Sequence, residues 1–198
     1  VLQCATDFRT TRIIIREMAD MLALDLLEKG LVTDQLVLTV GYDKENLSDP
    51  ERLKHYKGEV TVDRYGRKTP KHAHGTINLN RHTSSAKLLI SAATELFERI
   101  SDEALLSRRL NITANHVIHE GDVSEENEPV QLDFFSDFSA DEAKREAEEK
   151  SLEREKSRQK AILSIKNRYG KNAIVKGMNL QEGATAMERN RQIGGHKA

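Results

Sequence analysis

Residues His72-Ala73-His74-Gly75-Thr76-Ile77-Asn78-Leu79 alternate strictly between small or apolar side chains and polar ones. In an extended strand, successive side chains point to opposite faces of the sheet. The alanine, glycine, isoleucine and leucine therefore face one way, while the histidines, threonine and asparagine face the other. This stretch predicts a strand in an antiparallel sheet that has one buried face and one solvated face.

The segments around this strand predict two amphipathic helices and two more strands. Apolar residues recur at helical spacing over residues 11–29 and again after Thr83-Ser84-Ser85, which supplies an N-cap. Residues 35–42 are rich in β-branched side chains, and residues 108–115 alternate between polar and apolar side chains, so both segments predict strands.

The order of these elements predicts an α+β fold. Helix, strand, extended region, helix and strand fit the split β-α-β-β-α-β arrangement, provided that a first strand lies in or before residues 1–8. Residues 43–58 predict a surface loop because Asp49-Pro50 is a turn signal, and residues 60–64 predict an extended piece. Both helices would cover the same face of a small antiparallel sheet, which leaves the opposite face open to solvent or to a ligand.

Charge is strongly segregated along the chain. Lys and Arg number 17 against 17 Asp and Glu in residues 1–120, 2 against 11 in residues 121–149, and 12 against 4 in residues 150–198. With 37% hydrophobic residues, the chain has apolar content for one modest core. We predict a folded domain over 1–120, an acidic linker over 121–140, a charged helix over 141–170 and a basic, irregular tail over 171–198.

The predicted helix and tail have few apolar residues. In the helix, opposite charges stand four residues apart, as at Glu146 and Lys150, so we predict a solvated helix that ends at Gly170. The tail is rich in glycine and polar residues, and we expect no autonomous fold there. Its positive charge favours an acidic or polyanionic partner.

Apolar side chains interrupt the acidic linker at Gln131-Leu132-Asp133-Phe134-Phe135. Exposed apolar residues on such a segment require an explanation. They either pack back onto the domain as a satellite cluster or anchor a short peptide in the groove of another protein. A Gln-Leu-x-x-Phe pentapeptide resembles the sliding-clamp-binding motif of bacteria.

Composition limits the classes of function and site. Cys4 is the only cysteine, so a disulfide framework and a cysteine-based zinc site are excluded. His72 and His74 could share a metal ion, with His116 or His119 as further ligands, but no acidic residue clusters with them, and we predict no metal site. No nucleophile triad, P-loop or dinucleotide signature stands out.

The chain also carries signals about its location and extent. No apolar run approaches membrane-spanning length and no signal peptide opens the sequence, so we expect a cytoplasmic protein with no membrane partner. Val1 stands where an initiator Met is usual, which leads us to expect a fragment of a longer protein.

Positive charge is concentrated on one region of the folded domain. Residues 52–87 contain nine Lys and Arg against Glu59 and Asp63, together with four histidines. Cations beside a polar sheet face suit contacts to phosphates, which hold a protein on nucleic acid without reading its sequence. The alternative is a solvated basic loop with no ligand.

Several motifs together resemble one family. They are Ile15-Arg16-Glu17-Met18-Ala19-Asp20, Val37-Leu38-Thr39-Val40-Gly41-Tyr42, Arg108-Arg109-Leu110-Asn111-Ile112, the Gln131–Phe135 pentapeptide, Gly170-Lys171-Asn172-Ala173-Ile174, the stretch from Gly177 to Thr185, and the stretch from Arg189 to Lys197. Together they are similar to the C-terminal part of UmuC-like Y-family DNA polymerases of Gram-positive bacteria. The resemblance spans nearly the whole chain.

The resemblance implies a fold and a function. In that family this region is the little finger domain, whose sheet lies along the major groove of primer-template DNA and tolerates damaged bases. It implies a role in translesion synthesis and SOS repair, with these candidate DNA contacts: Arg64, Arg67, Lys68, Lys71, His72, His74, Arg81, Thr83, Ser84 and Arg109.

The resemblance also implies what the chain needs from other proteins or domains. The clamp peptide Gln131–Phe135 would dock on the sliding clamp, the β subunit of DNA polymerase III, and the tail is a candidate surface for RecA and UmuD-like partners. The palm carboxylates that hold Mg²⁺ would precede residue 1, so we expect no cofactor, no catalytic residue and no polymerase activity in this chain alone.

Two alternatives to this role stay open. The chain could be a non-catalytic protein-interaction module, in which the sheet and the charged helix hold a protein partner and DNA has no part. It could also be a truncated product that competes with intact polymerase for the clamp or the primer end.

Overall fold

The computed structural model describes residues 1–62, 66–123, 138–193 and 196–197, and these form a mixed α+β structure. Two short 3-10 helices lie at Glu120–Asp122 and Gly177–Leu180. The other elements, in chain order, are α1 (Phe8–Glu28), β1 (Leu31–Tyr42), α2 (Glu45–Ser48), α3 (Pro50–His55), β2 (Val60–Val62), β3 (Lys68–Pro70), β4 (Ala73–Thr83), α4 (Ala86–Ile100), β5 (Ser107–Asn115), β6 (Ile118–His119), α5 (Phe138–Tyr169), α6 (Ala186–Arg189), β7 (Gln192–Ile193) and β8 (His196–Lys197).

Strand β1 is the centre of the main sheet. It pairs antiparallel with β4 on one side and with β5 on the other, and β6 continues the β5 side. Beyond β5, the predicted first strand is reduced to an antiparallel bridge between Thr6 and Ser107. In the order β4, β1, β5 and N-terminal bridge, each β-α-β unit is split by a strand of the other unit. The predicted α+β class with its small antiparallel sheet is confirmed.

The sheet is buried on one side only. Leu36, Leu38 and Val40 of β1 are fully buried, whereas the residues between them are partly exposed. Helices α1 and α4 pack against the buried side and against each other. The core that they share with the sheet consists mainly of Ile15, Ala19, Ala23, Leu26, Leu36, Leu38, Val40, Leu89, Ala93, Leu96 and Phe97.

Gly75 allows α4 to approach β4 closely. A β-carbon at this position would lie 2.8 Å from Ile100 Cγ2 and 3.1 Å from Leu96 Cδ1, which is closer than van der Waals contact allows. The small inward residue that the alternation placed here is therefore required by helix packing.

The surface loop predicted for residues 43–58 is wrong. Instead of a loop, the segment contains α2 and α3. The Asp49-Pro50 pair begins a helix: the Asp49 carboxylate accepts a hydrogen bond from the Glu51 amide at 2.9 Å, and Pro50 occupies the first turn. Proline at this position costs no helical hydrogen bond, because an N–H there would have no acceptor within the helix.

Helix α5 is longer than the predicted charged helix, and it is partly docked. It ends before Gly170, which adopts a positive φ of 100°, as predicted for a glycine at a helix C-terminus. Lys150 and Glu146 form the expected pair at 3.2 Å. Towards its C-terminal end the helix contacts α1, and Asn167 donates a hydrogen bond to Glu28 at 2.9 Å.

The tail packs against α1 around the buried carboxylate of Glu17. This side chain is 0% exposed and accepts five hydrogen bonds. The donors are the Asn179 amide, the backbone and hydroxyl of Thr185, the backbone of Ala186 and the guanidinium of Arg189. The tail residues that follow the 3-10 helix Gly177–Leu180 are thus positioned by long-range contacts rather than by local propensity.

The basic side chains of the tail take part in this docking. Lys176 pairs with Asp20 of α1, and Arg189 lies 3.3 Å from Glu17. Burial lowers the pKa of Arg189 from its ordinary value, and the Glu17 carboxylate opposes that shift. Two of the cations that suggested a free polyanion-binding tail therefore neutralise carboxylates of α1.

Among the residues that the structure describes, no helix has both the length and the apolar character needed to cross a membrane.

Removing the Glu17 carboxylate should destabilise the protein. Glu17→Ala leaves several buried donors and the Arg189 charge without a partner, which should lower the free energy of unfolding by roughly 3 kcal/mol. Asp25→Ala, the matched control, removes an exposed α1 carboxylate paired with Lys29 and should cost less than about 1 kcal/mol. Urea denaturation measures both; equal losses would contradict the role of Glu17.

Candidate nucleic-acid interface

The face of the sheet opposite α1 and α4 carries exposed polar side chains from three strands. His74, Thr76, Asn78 and Asn80 of β4 are exposed, as are Arg109, Asn111 and Thr113 of β5. Between them, β1 contributes Gln35, Val37, Thr39 and Gly41, which are partly exposed. We call this set the open face.

Hydrogen bonds across the strands hold the amide side chains of the open face in place. Gln35 donates to Asn78 Oδ1 at 2.8 Å and accepts from Asn115 Nδ2 at 2.9 Å. The three amides therefore form a row across β4, β1 and β5. Because each amide has further donor and acceptor capacity, the row can still bond to a ligand laid on the sheet.

Two more hydrogen-bonded pairs lie further along the open face. Thr39 Oγ1 lies 2.9 Å from His74 Nδ1, and Asn111 donates to Thr113 Oγ1 at 3.4 Å. The middle of the open face is thus neutral and rich in hydroxyl, amide and imidazole groups.

Positive charge lies at one end of the open face. Arg109 is exposed and is paired in register with Gly41, near the end of β1. Arg67 and Lys68 are exposed on the neighbouring β2–β3 hairpin, and His72 is exposed just before β4. Arg64 lies outside the described residues.

Lys71 belongs to the same region but is paired. Its ammonium lies 2.7 Å from a carboxylate oxygen of Glu59. The hydrogen bond between them lowers the pKa of Glu59 and raises that of Lys71. Both groups stay charged at neutral pH, so Glu59 reduces the positive charge that Lys71 presents to a ligand.

Thr83 and Ser84 lie away from the open face, where they are buried. The Thr83 hydroxyl accepts a hydrogen bond from the Ser85 amide at 3.0 Å, and the Ser84 carbonyl accepts one from Gln159 of α5 at 3.2 Å. Their burial is at odds with direct contact to DNA.

A carboxylate of α5 caps α4 at the same place. Glu155 accepts hydrogen bonds from the Ser85 hydroxyl and from the Lys87 amide, the latter at 2.8 Å. The predicted N-cap residue Ser85 also accepts from the Leu88 amide. Hydrogen-bond donors at the start of α4 are therefore satisfied by a side chain that lies 70 residues further along the chain.

A second cluster of titratable groups lies at the other end of the open face. It consists of Asp34, His82 and His116, with Arg81 beside it, half-buried. Of these residues, only Arg81 was a candidate DNA contact from the sequence. The cluster depends on an irregular pairing of β1 with β4, which alternation alone does not reveal.

Metal binding has no support in the described part of the chain. No three His, Cys, Asp or Glu side chains there are placed to share a metal ion. His74, one of the two histidines that alternate along the strand, bonds to Thr39 instead. The pentapeptide Gln131, Leu132, Asp133, Phe134 and Phe135 lies outside the described residues.

Comparison with known proteins gives the family. A model described as the impB/mucB/samB family C-terminal domain matches residues 3–134, two thirds of the chain. The chain belongs to this family. As a family member it represents the C-terminal region of a UmuC-like Y-family polymerase, for which DNA is the expected partner.

The family match has a definite extent within this fold. It covers the main sheet with α1 and α4, and it ends before α5 and the tail. A search of curated proteins gave no match to the chain.

Loss of the Glu155 carboxylate should loosen α5 from the domain. Glu155→Ala removes two acceptor contacts at the start of α4 and should lower the free energy of unfolding by about 1 kcal/mol, as the loss of an N-cap does. Glu153→Ala, an exposed change on the same helix, is the control. Amide hydrogen exchange at Lys87 should accelerate in the first variant alone; protection of Lys87 in both would argue against the cap.

Proposed function

We propose that this chain is the DNA-holding and clamp-docking portion of an error-prone translesion polymerase that acts in SOS repair. It binds and positions primer-template DNA. Nucleotidyl transfer, with its Mg²⁺, is the work of separate palm, fingers and thumb domains. A member of this family that held the template without rigid base-specific contacts would tolerate damaged bases.

The open face is the observation that carries this proposal. Its middle is neutral and rich in hydrogen-bonding groups, and the helices lie on the opposite side of the sheet. A duplex offers donors and acceptors in its grooves and negative charge along its backbones. A neutral centre beside a cationic end is complementary to a groove flanked by phosphates.

The proposed DNA contacts form a revised set. Thr83 and Ser84 are left out because they are buried, and the Ser84 carbonyl bonds to Gln159 of α5. Open-face residues would meet the groove, and the basic hairpin with its neighbours would meet the phosphates. The set is Arg64, Arg67, Lys68, Lys71, His72, His74, Arg81 and Arg109.

The clamp peptide is the second part of the proposal. Its support is the likeness of Gln131–Phe135 to the clamp-binding motif and its place in the acidic segment that precedes α5. Leu132 and Phe134 would fill apolar pockets of the sliding clamp, and Gln131 would add a polar contact.

The tail motifs support the likeness to the polymerases of Gram-positive bacteria. We propose that RecA and UmuD-like partners meet tail cations that face solvent, such as Lys171 and Arg191.

A negative charge on the open face should weaken DNA binding. Thr113→Asp places a carboxylate where the duplex would lie and should reduce affinity about tenfold or more, because it opposes the phosphates at close range. Ser91→Asp makes the same change at an exposed position of α4, on the other side of the sheet. Fluorescence anisotropy with primer-template DNA measures the affinity of both variants. Equal affinities would contradict the assignment of the open face to DNA binding.

Cation removal gives an independent test of the same proposal. Arg109→Ala should reduce the slope of log affinity against log salt by about one contact. Arg9→Ala, an exposed cation of α1, should leave the slope unchanged. Binding that does not vary with salt would refute the electrostatic part of the proposal.

Clamp capture should depend on the peptide and not on the sheet. Leu132→Ala and Phe134→Ala each remove an anchor and should abolish pull-down by the sliding clamp, while DNA affinity stays unchanged. Val130→Ala, outside the Gln-Leu-x-x-Phe motif, is the control. Retained capture by both anchor variants would show that the clamp peptide has been assigned wrongly.

A further inference from the structure

An irregular pairing of β1 with β4 re-aims side chains at the end of the open face that is remote from Arg109. Thr33 pairs with Thr83 and Gln35 pairs with Asn78, so the single residue Asp34 stands opposite four residues of β4. Bulges of this kind bend a strand and redirect its side chains, and they are frequent beside functional sites. Here His82 lies next to Asp34.

Asp34 lies between two imidazoles. His116 Nδ1 is 2.9 Å from Asp34 Oδ1, and His82 Nε2 is 3.8 Å from Asp34 Oδ2. The side chains are 62% exposed for His116, 33% for Asp34 and 20% for His82, so all three can be reached from solvent. His116 also adopts a positive φ of 48°, a left-handed conformation that the hydrogen bond to Asp34 helps to hold.

The cluster adjoins one end of the open face. Asp34 precedes Gln35 and His116 follows Asn115, and these two amides belong to the hydrogen-bonded row across the sheet. From Gln35 to Gly41, which pairs with Arg109, β1 advances six residues, or about 20 Å. The neutral centre of the open face therefore has Arg109 at one end and the two histidines at the other.

We infer that His82 and His116 form a second phosphate-binding site at this end of the open face, one that binds a DNA backbone phosphate in the protonated state. This inference rests on the proposed DNA-binding function. It gives the duplex a contact at both ends of the polar centre, one to a backbone on each side of the groove.

The hydrogen bond to Asp34 decides which nitrogen of His116 can meet a phosphate. Because an ionised carboxylate only accepts hydrogen bonds, Nδ1 of His116 carries the proton, and Nε2 of the neutral ring is an acceptor. Such a ring cannot donate to a phosphate until Nε2 is also protonated. Imidazole is the side chain that changes charge between pH 5 and 8, so the cluster has a charge of -1 with neutral rings and +1 with both rings protonated.

Other charged groups lie near the cluster and contribute to the electrostatic potential around it. An open cavity of about 260 Å³ adjoins His82, and its charged lining residues are Arg81, Glu120, Glu153 and Lys156. Lys156 pairs with Glu120, and Arg81 and Glu153 add one charge of each sign beside the ring. The two histidines therefore control the net charge at this end of the face.

The test is DNA affinity at pH 6 and pH 8 at constant ionic strength, with full-length chain and a primer-template duplex. The wild type should bind about tenfold more tightly at pH 6, the change that corresponds to one unit of pKa shift on binding. The double variant His82→Gln/His116→Asn should lose most of this difference; asparagine is chosen at 116 because it tolerates positive φ. Asp34→Asn should bind more tightly than wild type at pH 8, since it removes a charge that repels phosphate.

His119→Gln is the control, because it removes an exposed histidine of β6 outside the cluster. It should keep the full pH dependence, and urea denaturation should show that all variants are folded. A double variant with the wild-type pH dependence would overturn the inference, while the proposed function would stand if Arg109→Ala still weakened binding. No DNA binding by the wild type at either pH would instead overturn the proposed function.

Discussion

One constraint on β1 governs the rest of the fold: the central strand has most of its large apolar side chains on one side. Leu36, Leu38 and Val40 are fully buried beneath α1 and α4. A neutral polar surface gives no apolar helix a reason to pack, so the other side of the sheet stays accessible. Both the core and the candidate interface thus follow from the same alternation.

Two carboxylates join the later part of the chain to this sheet domain. Glu155 satisfies donors at the start of α4, and Glu17 satisfies donors of the tail. Each links segments that are far apart in sequence, and each accepts from backbone amides that would otherwise lack partners. Together they fasten α5 and the tail on the helical side of the domain, so the open face is left to a ligand.

The sequence was informative where local rules decide the outcome. Alternation predicted the open and buried faces of β4, and Ser85 and Gly170 marked helix ends that the structure confirms. Local rules failed at Asp49-Pro50, where a helix start resembles a turn signal. They also could not reveal the burial of Ser84 under α5 or the pairing of Asp34 with His116, because both depend on contacts more than 70 residues apart in the chain.

The contacts of Glu17 also show that the family match and the folded structure end at different residues. The family match stops at residue 134, but the groups that complete α1 come from residues 179–189. A protein cut at the family boundary would keep every strand of the main sheet and still leave the Glu17 carboxylate without the donors that surround it. The contacts that complete the fold therefore extend beyond the unit that sequence comparison recognises.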